Sequence, residues 1–237
     1  MAKATKEAQE TKAIRRYIKL TFIEPVLGTW PSNENVARDF IASKSPDAAT
    51  IEEEIAAIGA ENYSDKAMTV FPRVDGKPVF YDYQIKGFFK DTCGALSRAK
   101  HTKSSALKAY KKVIDGMIFP FPRTIAIQVN GEIGECQRPL RAQTAQGERV
   151  SLANSEEIPA GSTIRFGVKL NDPAHEALLK EWLDNGIDRG LGQWRNSGKG
   201  RFIYKMLDEE GNSLGGTAED YEARKLEESF FPEEKAG

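Results

Sequence analysis

The residues best suited to chemistry lie in one stretch, Gly190-Leu191-Gly192-Gln193-Trp194-Arg195-Asn196-Ser197-Gly198-Lys199-Gly200-Arg201-Phe202. Four glycines, Gly190, Gly192, Gly198 and Gly200, bracket a polar, basic segment. Glycine permits positive φ and lets another backbone come close. Backbone N–H groups beside Arg195, Lys199 and Arg201 are suited to phosphates. Trp194, between Gln193 and Asn196, offers a ring on which a base can stack. The spacing excludes three familiar loops. A Walker A loop needs four residues between its first glycine and Gly-Lys, then Ser or Thr; here five separate Gly192 from Gly198, and Gly200 follows Lys199. The dinucleotide fingerprint fails because Arg195 stands where its third glycine belongs. Gly211-Asn212-Ser213-Leu214-Gly215 matches a nucleophile elbow in letters only, since it lies in an acidic tail and both histidines precede it. The bland alternative for 190–200 is a surface loop with Trp194 packed on the body.

Other cations are clustered. Ser97 to Ile114 holds six basic residues, among them Arg98, Lys100 and Lys103, and no acid. Such a run is either a solvated helix face or a phosphate-binding surface. Residues 137–149 are rich in Arg and Gln, and Arg138 and Arg141 carry the fork geometry that suits phosphate. Lys86 and Lys90 fall in the first turns of an expected helix, where a cation opposes the helix dipole unless an anion is near. For catalysis the chain offers less. His101 is a lone histidine between Lys100 and Lys103. Asp65 precedes the run Met68-Thr69-Val70-Phe71, and no motif selects it over Asp39 or Asp47. Two cysteines and two histidines exclude a disulfide framework and a multi-histidine metal centre; no cofactor and no metal site is expected.

These residues need elements to hold them. The chain of 237 residues can bury a sizeable core. No apolar run is long enough to span a membrane and none at the start resembles a signal peptide, so the expected location is the cytoplasm. Charge is segregated: residues 1–16 hold five basic and two acidic side chains, whereas 208–237 hold ten acidic and three basic. A weakly basic body lies between. Residues 1–16 read as a flexible segment, 17–23 as a strand, 29–67 as a helical insertion with a capping box at Thr50 and Glu53. Asp75-Gly76 marks a hairpin after the run 68–71. Residues 84–99 and 104–114 read as helices, and 118–129 as strand-rich with a second hairpin turn at Asn130-Gly131. Residues 134–149 read as irregular, a loop or hairpin tip. Strands flank Pro159-Ala160-Gly161, and Asp172-Pro173 opens a helix with Leu178, Leu179, Trp182 and Leu183 on its apolar stripe. A strand follows the glycine-rich loop, and 208–237 reads as a flexible acidic tail. The order fits an α+β fold with a ferredoxin-like βαββαβ core carrying insertions.

The glycine-rich segment is also similar to a known signature. Gly-hydrophobic-Gly, five residues, then Gly-x-Gly before the last strand resembles the loop of the RAMP superfamily, the CRISPR-associated RNA-binding proteins; Gly190, Gly192, Gly198 and Gly200 fit it. Tyr83-Gln84-Ile85-Lys86-Gly87-Phe88-Phe89-Lys90 resembles the Lys-Gly that opens the first core helix there. Glu157-Ile158-Pro159-Ala160-Gly161-Ser162-Thr163 resembles the family's Val-Pro-Ala-Gly-Thr turn. Tyr83-Gln84 stands where the family usually has Gly-Ser-Ser, and the 29–67 insertion is long and helical, which fits a diverged member, phage- or mobile-element-encoded. The resemblance implies a 17–207 RAMP-like domain of the backbone branch, with a modified RRM-like fold. Copies would assemble in a filament along a guide RNA, with a complementary nucleic-acid target and other effector subunits as partners and no membrane. With the charge and stacking arguments above, the candidate RNA contacts are Lys86, Lys90, Arg98, Lys100, Lys103, Arg138, Arg141, Gln193, Trp194, Arg195, Asn196 and Lys199. The resemblance further implies two weaker catalytic candidates: Asp65 as the loop aspartate with which some members cut RNA using a divalent metal, and His101 as the general base toward a 2′-hydroxyl of another branch. Two alternatives stay open: an endoribonuclease of the same fold using His101, and a mimic that blocks a host CRISPR complex. The balance leans away from an enzyme.

Overall fold

In β1, Ile14–Phe22, alternate residues Ile18, Leu20 and Phe22 are buried, while Tyr17 and Lys19 face solvent. This period of two fixes one face of a sheet on a core and leaves the other open. The structure is a computed structural model describing residues 12–32, 68–144, 147–218 and 221. The insertion of 29–67 beyond Ser32, Asp65, the segment before Lys12 and most of the acidic tail therefore lie outside the described residues.

From β1 the chain runs through two short strands, β2 (Val26–Leu27) and β3 (Trp30–Pro31), and re-enters at β4, Met68–Val70. A hairpin follows: β5 (Arg73–Val74) and β6 (Lys77–Tyr81) join through Asp75-Gly76, both at positive φ as a tight two-residue turn requires. Helix α1, Asp82–Leu96, buries Ile85, Phe88, Phe89 and Cys93. At its start the Gln84 side chain accepts from the Tyr81 N–H at 2.7 Å, and Asp82 suits the positive end of the dipole. Gly94 in α1 leaves room for Tyr110, whose hydroxyl lies 2.9 Å from where a Cβ would sit.

The basic stretch is not one helix. It forms α2, Lys103–Ala106, and α3, Tyr110–Met117, separated by Ala109 in the left-handed region. The α2 N-terminus is held by Glu181, whose carboxylate accepts from the N–H groups of Lys103 and Ser104 at 2.6 and 2.9 Å. Next come β7 (Ile118–Phe121) and β8 (Thr124–Gln128). Asn130-Gly131 does not close a hairpin; it carries the chain from β8 to another sheet, because β8 pairs with β6 and β11. The polar stretch 134–149 is regular rather than irregular: β9 (Gly134–Thr144) and β10 (Gly147–Ile158) form one long antiparallel ribbon. After Pro159-Ala160-Gly161 comes β11, Thr163–Leu170. Asp172 caps the next turn by accepting from the Ala174 N–H at 2.9 Å, and α4, Glu176–Asp184, buries Leu178, Leu179, Trp182 and Leu183 as its spacing predicts. The short α5, Gly186–Arg189, leads to the glycine-rich loop and β12, Phe202–Leu207. Past Leu207 the chain adds β13, Ser213–Gly216, against β12, so the first part of the expected tail is an edge strand.

The main sheet has the order β13-β12-β1-β11-β8-β6-β5, with β7 beside β8 on the edge of β11. Within it, β1, α1, β7, β11, α4 and β12 form the βαββαβ unit in the spatial order β12-β1-β11-β7, all neighbours antiparallel. That is the ferredoxin-like arrangement of an α+β fold. Helices α1 and α4 pack on the face of Ile18, Leu20 and Phe22, where Phe89 lies 5.6 Å from Trp182 between ring centroids. A second sheet, β2-β10-β4-β3 with β9 on β10, is built from the excursion after β1 and the ribbon. It leans on the glycine-rich loop, which is where the candidate site lies. Among the described residues no helix is long and apolar enough to cross a membrane.

Candidate nucleic-acid interface

The glycines of the loop serve close backbone packing. Gly190 and Gly200 face each other at its base: the Leu191 N–H donates to the Gly200 carbonyl at 2.9 Å, and a Cβ on Gly200 would run into the Leu191 carbonyl. A Cβ on Gly190 would come within 2.7 Å of Gly200. The Gly200 N–H donates to Pro25 at 2.8 Å, and Gly192 sits against the Leu27 backbone of β2. Gly190, Gly192, Gly198 and Gly200 all have positive φ. The loop is thus clamped to both sheets at its foot, and residues 193–197 are presented as a crown. Within the crown, Trp194 is itself at positive φ, and the N–H groups of Ser197, Gly198 and Lys199 turn inward to the carbonyls of Trp194 and Arg195. Those three amides are occupied, so they do not form the phosphate cradle that the spacing invites.

Acids from elsewhere in the fold brace the crown. Asp91 of α1 receives Arg195 at 2.6 Å and Arg189 at 2.9 Å. Burial pushes the Asp91 carboxyl upward, but the Arg189 hydrogen bond and the charges of Arg195 and Arg189 together outweigh it and hold the group below the usual carboxylate range. Asn196 accepts from Arg189 at 3.4 Å. Lys199 is paired with Glu157 of β10 at 2.6 Å. Three of the loop's polar residues therefore have internal partners, and Asp91, Glu157 and Arg189 are site residues that local spacing does not single out.

One residue is different. Arg138, on β9, is 6% exposed and lies under Trp194, its guanidinium 4.2 Å from the ring centroid. One terminal nitrogen donates to the Gln193 side chain at 3.1 Å. Among the described residues its Nε and other terminal nitrogen, both buried, have no hydrogen-bond partner, and no carboxylate pairs with it. A buried guanidinium with two idle donors is costly unless an anion joins it. Both nitrogens are covered in this structure. An open cavity of about 510 Å³ lies over the crown, lined by Arg189 and residues 192–197. A smaller one of about 280 Å³ lies between the loop and α1, with Tyr83, Phe88 and Asp91 in its wall. Arg138, Gln193 and Trp194, far apart in sequence, are thus brought together. Arg141 is placed by backbone register alone, opposite Val150, and its side chain lies outside the described residues.

The remaining candidates lie apart from this cluster. Lys90 has its anion already, Asp115 at 2.5 Å. Lys86 lies over the Phe119 ring at 4.7 Å, and burial lowers its pKa. Arg98, Lys100 and Lys103 are exposed on the turn and helix after α1. His101 is exposed at positive φ in that turn. Among the described residues no group of three or more His, Cys, Asp or Glu side chains is placed to hold a metal ion.

No family model and no curated protein matches the sequence. Among solved structures, the chain is similar to one described as "Cryo-EM structure of the Type III-B Cmr-beta bound to cognate target RNA", at 11% identity and a TM-score of 0.46. The match takes in 81% of this chain and 58% of that one.

Proposed function

We propose that this chain is an RNA-binding protein of the RAMP type whose grip on RNA is centred on Arg138, Gln193 and Trp194. The observation that carries the reading is the buried Arg138 guanidinium with two unpartnered donors beneath an aromatic ring on a glycine-rich loop. A phosphate supplies the missing acceptors, and a base stacks on Trp194 once the ring has turned off the guanidinium. The ferredoxin-like core with that loop just before its last strand supports the family reading, as do the Lys86-Gly87 and Pro159-Ala160-Gly161 segments at the expected places in the chain. In the full proposal several copies line up along a guide RNA, each holding a few nucleotides through the backbone while base pairing reads sequence. The paired cations Arg195 and Lys199 position the crown; exposed Arg98, Lys100 and Lys103 add attraction at longer range.

The test is binding of a labelled single-stranded RNA by fluorescence anisotropy. Wild type binds with an affinity that falls steeply with salt. Arg138→Ala/Arg141→Ala protein loses most of that affinity while keeping its melting temperature. Unchanged affinity in the folded double variant overturns the assignment.

A further inference from the structure

On the side of the main sheet away from the helices, the registers place cation opposite cation. Lys19 of β1 pairs with Arg165 of β11 on one side and with Lys205 of β12 on the other. All three are exposed, and none has a carboxylate partner among the described residues. Four residues along, Arg15 of β1 faces Lys169 of β11, and there Glu209 lies against Arg15. Like charges directly opposite on neighbouring strands destabilise a sheet, so the undiluted Lys19 row is an arrangement that an external anion relieves. Next to it is an aromatic step. Gly167 lies opposite Phe121, and a Cβ at Gly167 would collide with the Phe121 ring, so the ring lies flat on the sheet. Tyr17, 40% exposed, meets that ring edge to face at 6.0 Å. Tyr17, Phe121 and the three cations line one open depression of about 520 Å³.

We infer that this open sheet face is a second RNA site, taking a single-stranded segment with its phosphates along Lys19, Arg165 and Lys205 and a base against Tyr17 and Phe121. The inference rests on the RNA-binding reading above but uses none of its residues. The occupant is chosen by charge: three unopposed cations in one row match a phosphodiester backbone, and the adjacent rings match unstacked bases. A duplex would present phosphates but no free base to the rings.

The test uses the full chain, a labelled single-stranded RNA and a salt titration. Replacing Lys19, Arg165 and Lys205 together by Gln lowers the slope of log affinity against log salt by about 2, the value for three phosphate contacts on a single strand. Tyr17→Ala lowers affinity about tenfold with the slope unchanged. The triple variant melts at or above the wild-type temperature, because repulsion has been removed. Each of these results supports the second site. If Arg138→Ala weakens RNA binding but the triple variant keeps the wild-type slope, the face inference falls and the Arg138 reading stands. If the triple variant instead loses self-association with no change in RNA slope, the face is a contact between copies and the inference is overturned. It falls with the first reading if wild type binds no RNA.

Discussion

Replacing Arg138 with methionine separates the two parts that a buried cation can play. The substitution keeps an unbranched stem of similar length and removes the guanidinium. In the free chain the change removes two buried donors without partners, Nε and one terminal nitrogen, each costing about 1–3 kcal/mol. It also removes the bond to Gln193, worth about 1.5–3 kcal/mol for a charged donor, and the stack on Trp194, worth about 1 kcal/mol. Near the middle of these ranges the sum favours the variant by about 1 kcal/mol, which raises the melting temperature by about 2–4 °C. Toward RNA the sign reverses. Losing a charge-assisted phosphate contact costs about 1.5–3 kcal/mol, or about ten- to a hundredfold in affinity. The assay is a thermal melt and an anisotropy titration on the same preparation. A variant that is more stable and binds RNA less tightly is the signature of a residue kept for function. A variant that melts well below wild type and binds RNA as before refutes the reasoning, because Arg138 would then be a structural cation satisfied in the free protein.

Two glycines of different surroundings give opposite outcomes. Gly200→Ala drives a methyl into the Leu191 carbonyl at positive φ and destabilises by about 2–4 kcal/mol, whereas Gly87→Ala, with open space inside α1, stabilises by about 1 kcal/mol; denaturant midpoints check both. The Asp91 carboxyl is held low in the fold, so the stability it lends through Arg189 and Arg195 is present above its ordinary value of 3.8 and is lost as pH falls below it. Wild-type denaturant midpoints therefore drop more steeply between pH 5 and 3 (approximately) than those of Asp91→Asn, and parallel curves would count against the brace. The Cys93 thiol is fully buried and burial raises its pKa, while Cys136 is partly exposed; a thiol reagent modifies Cys136 in the native protein and reaches Cys93 only on unfolding.

Local chemistry made much of the frame legible. Alternation in 17–23, Asp75-Gly76, Asp172-Pro173 and the stripe from Leu178 to Leu183 each follow from short-range rules, and the structure has those elements. The extent of the ribbon was hidden for a physical reason, although a hairpin tip is one of the two readings of 134–149. Its residues are mostly polar, and those it buries include Arg138, Ser155 and Glu156, so no hydrophobic alternation marks its strands. In β13, Ser213 to Gly216, Leu214 is the one apolar residue and packs against the core, too little to mark a strand in the sequence. The break at Ala109 leaves no trace in composition, since alanine is a strong helix former yet lies here in the left-handed region. In the site, residue types were informative and partners were not. Lys90, Arg195 and Lys199 read as free cations because Asp115, Asp91 and Glu157 lie 25 to 104 positions away and meet them only through the fold. Arg138 stood out as a phosphate-type arginine, but its burial under Trp194 depends on the ribbon reaching the loop. The cation row on the open sheet face was invisible for the same reason: it exists only in the register of β12, β1 and β11.

The central claim, that copies of this chain hold a guide RNA, is tested most directly by isolating the protein from its native host, sequencing the RNA that comes with it and weighing the particle. The account predicts a discrete small RNA in a particle containing several copies, and the same isolation with Arg138→Met protein yields little RNA. A monomer free of nucleic acid would contradict it.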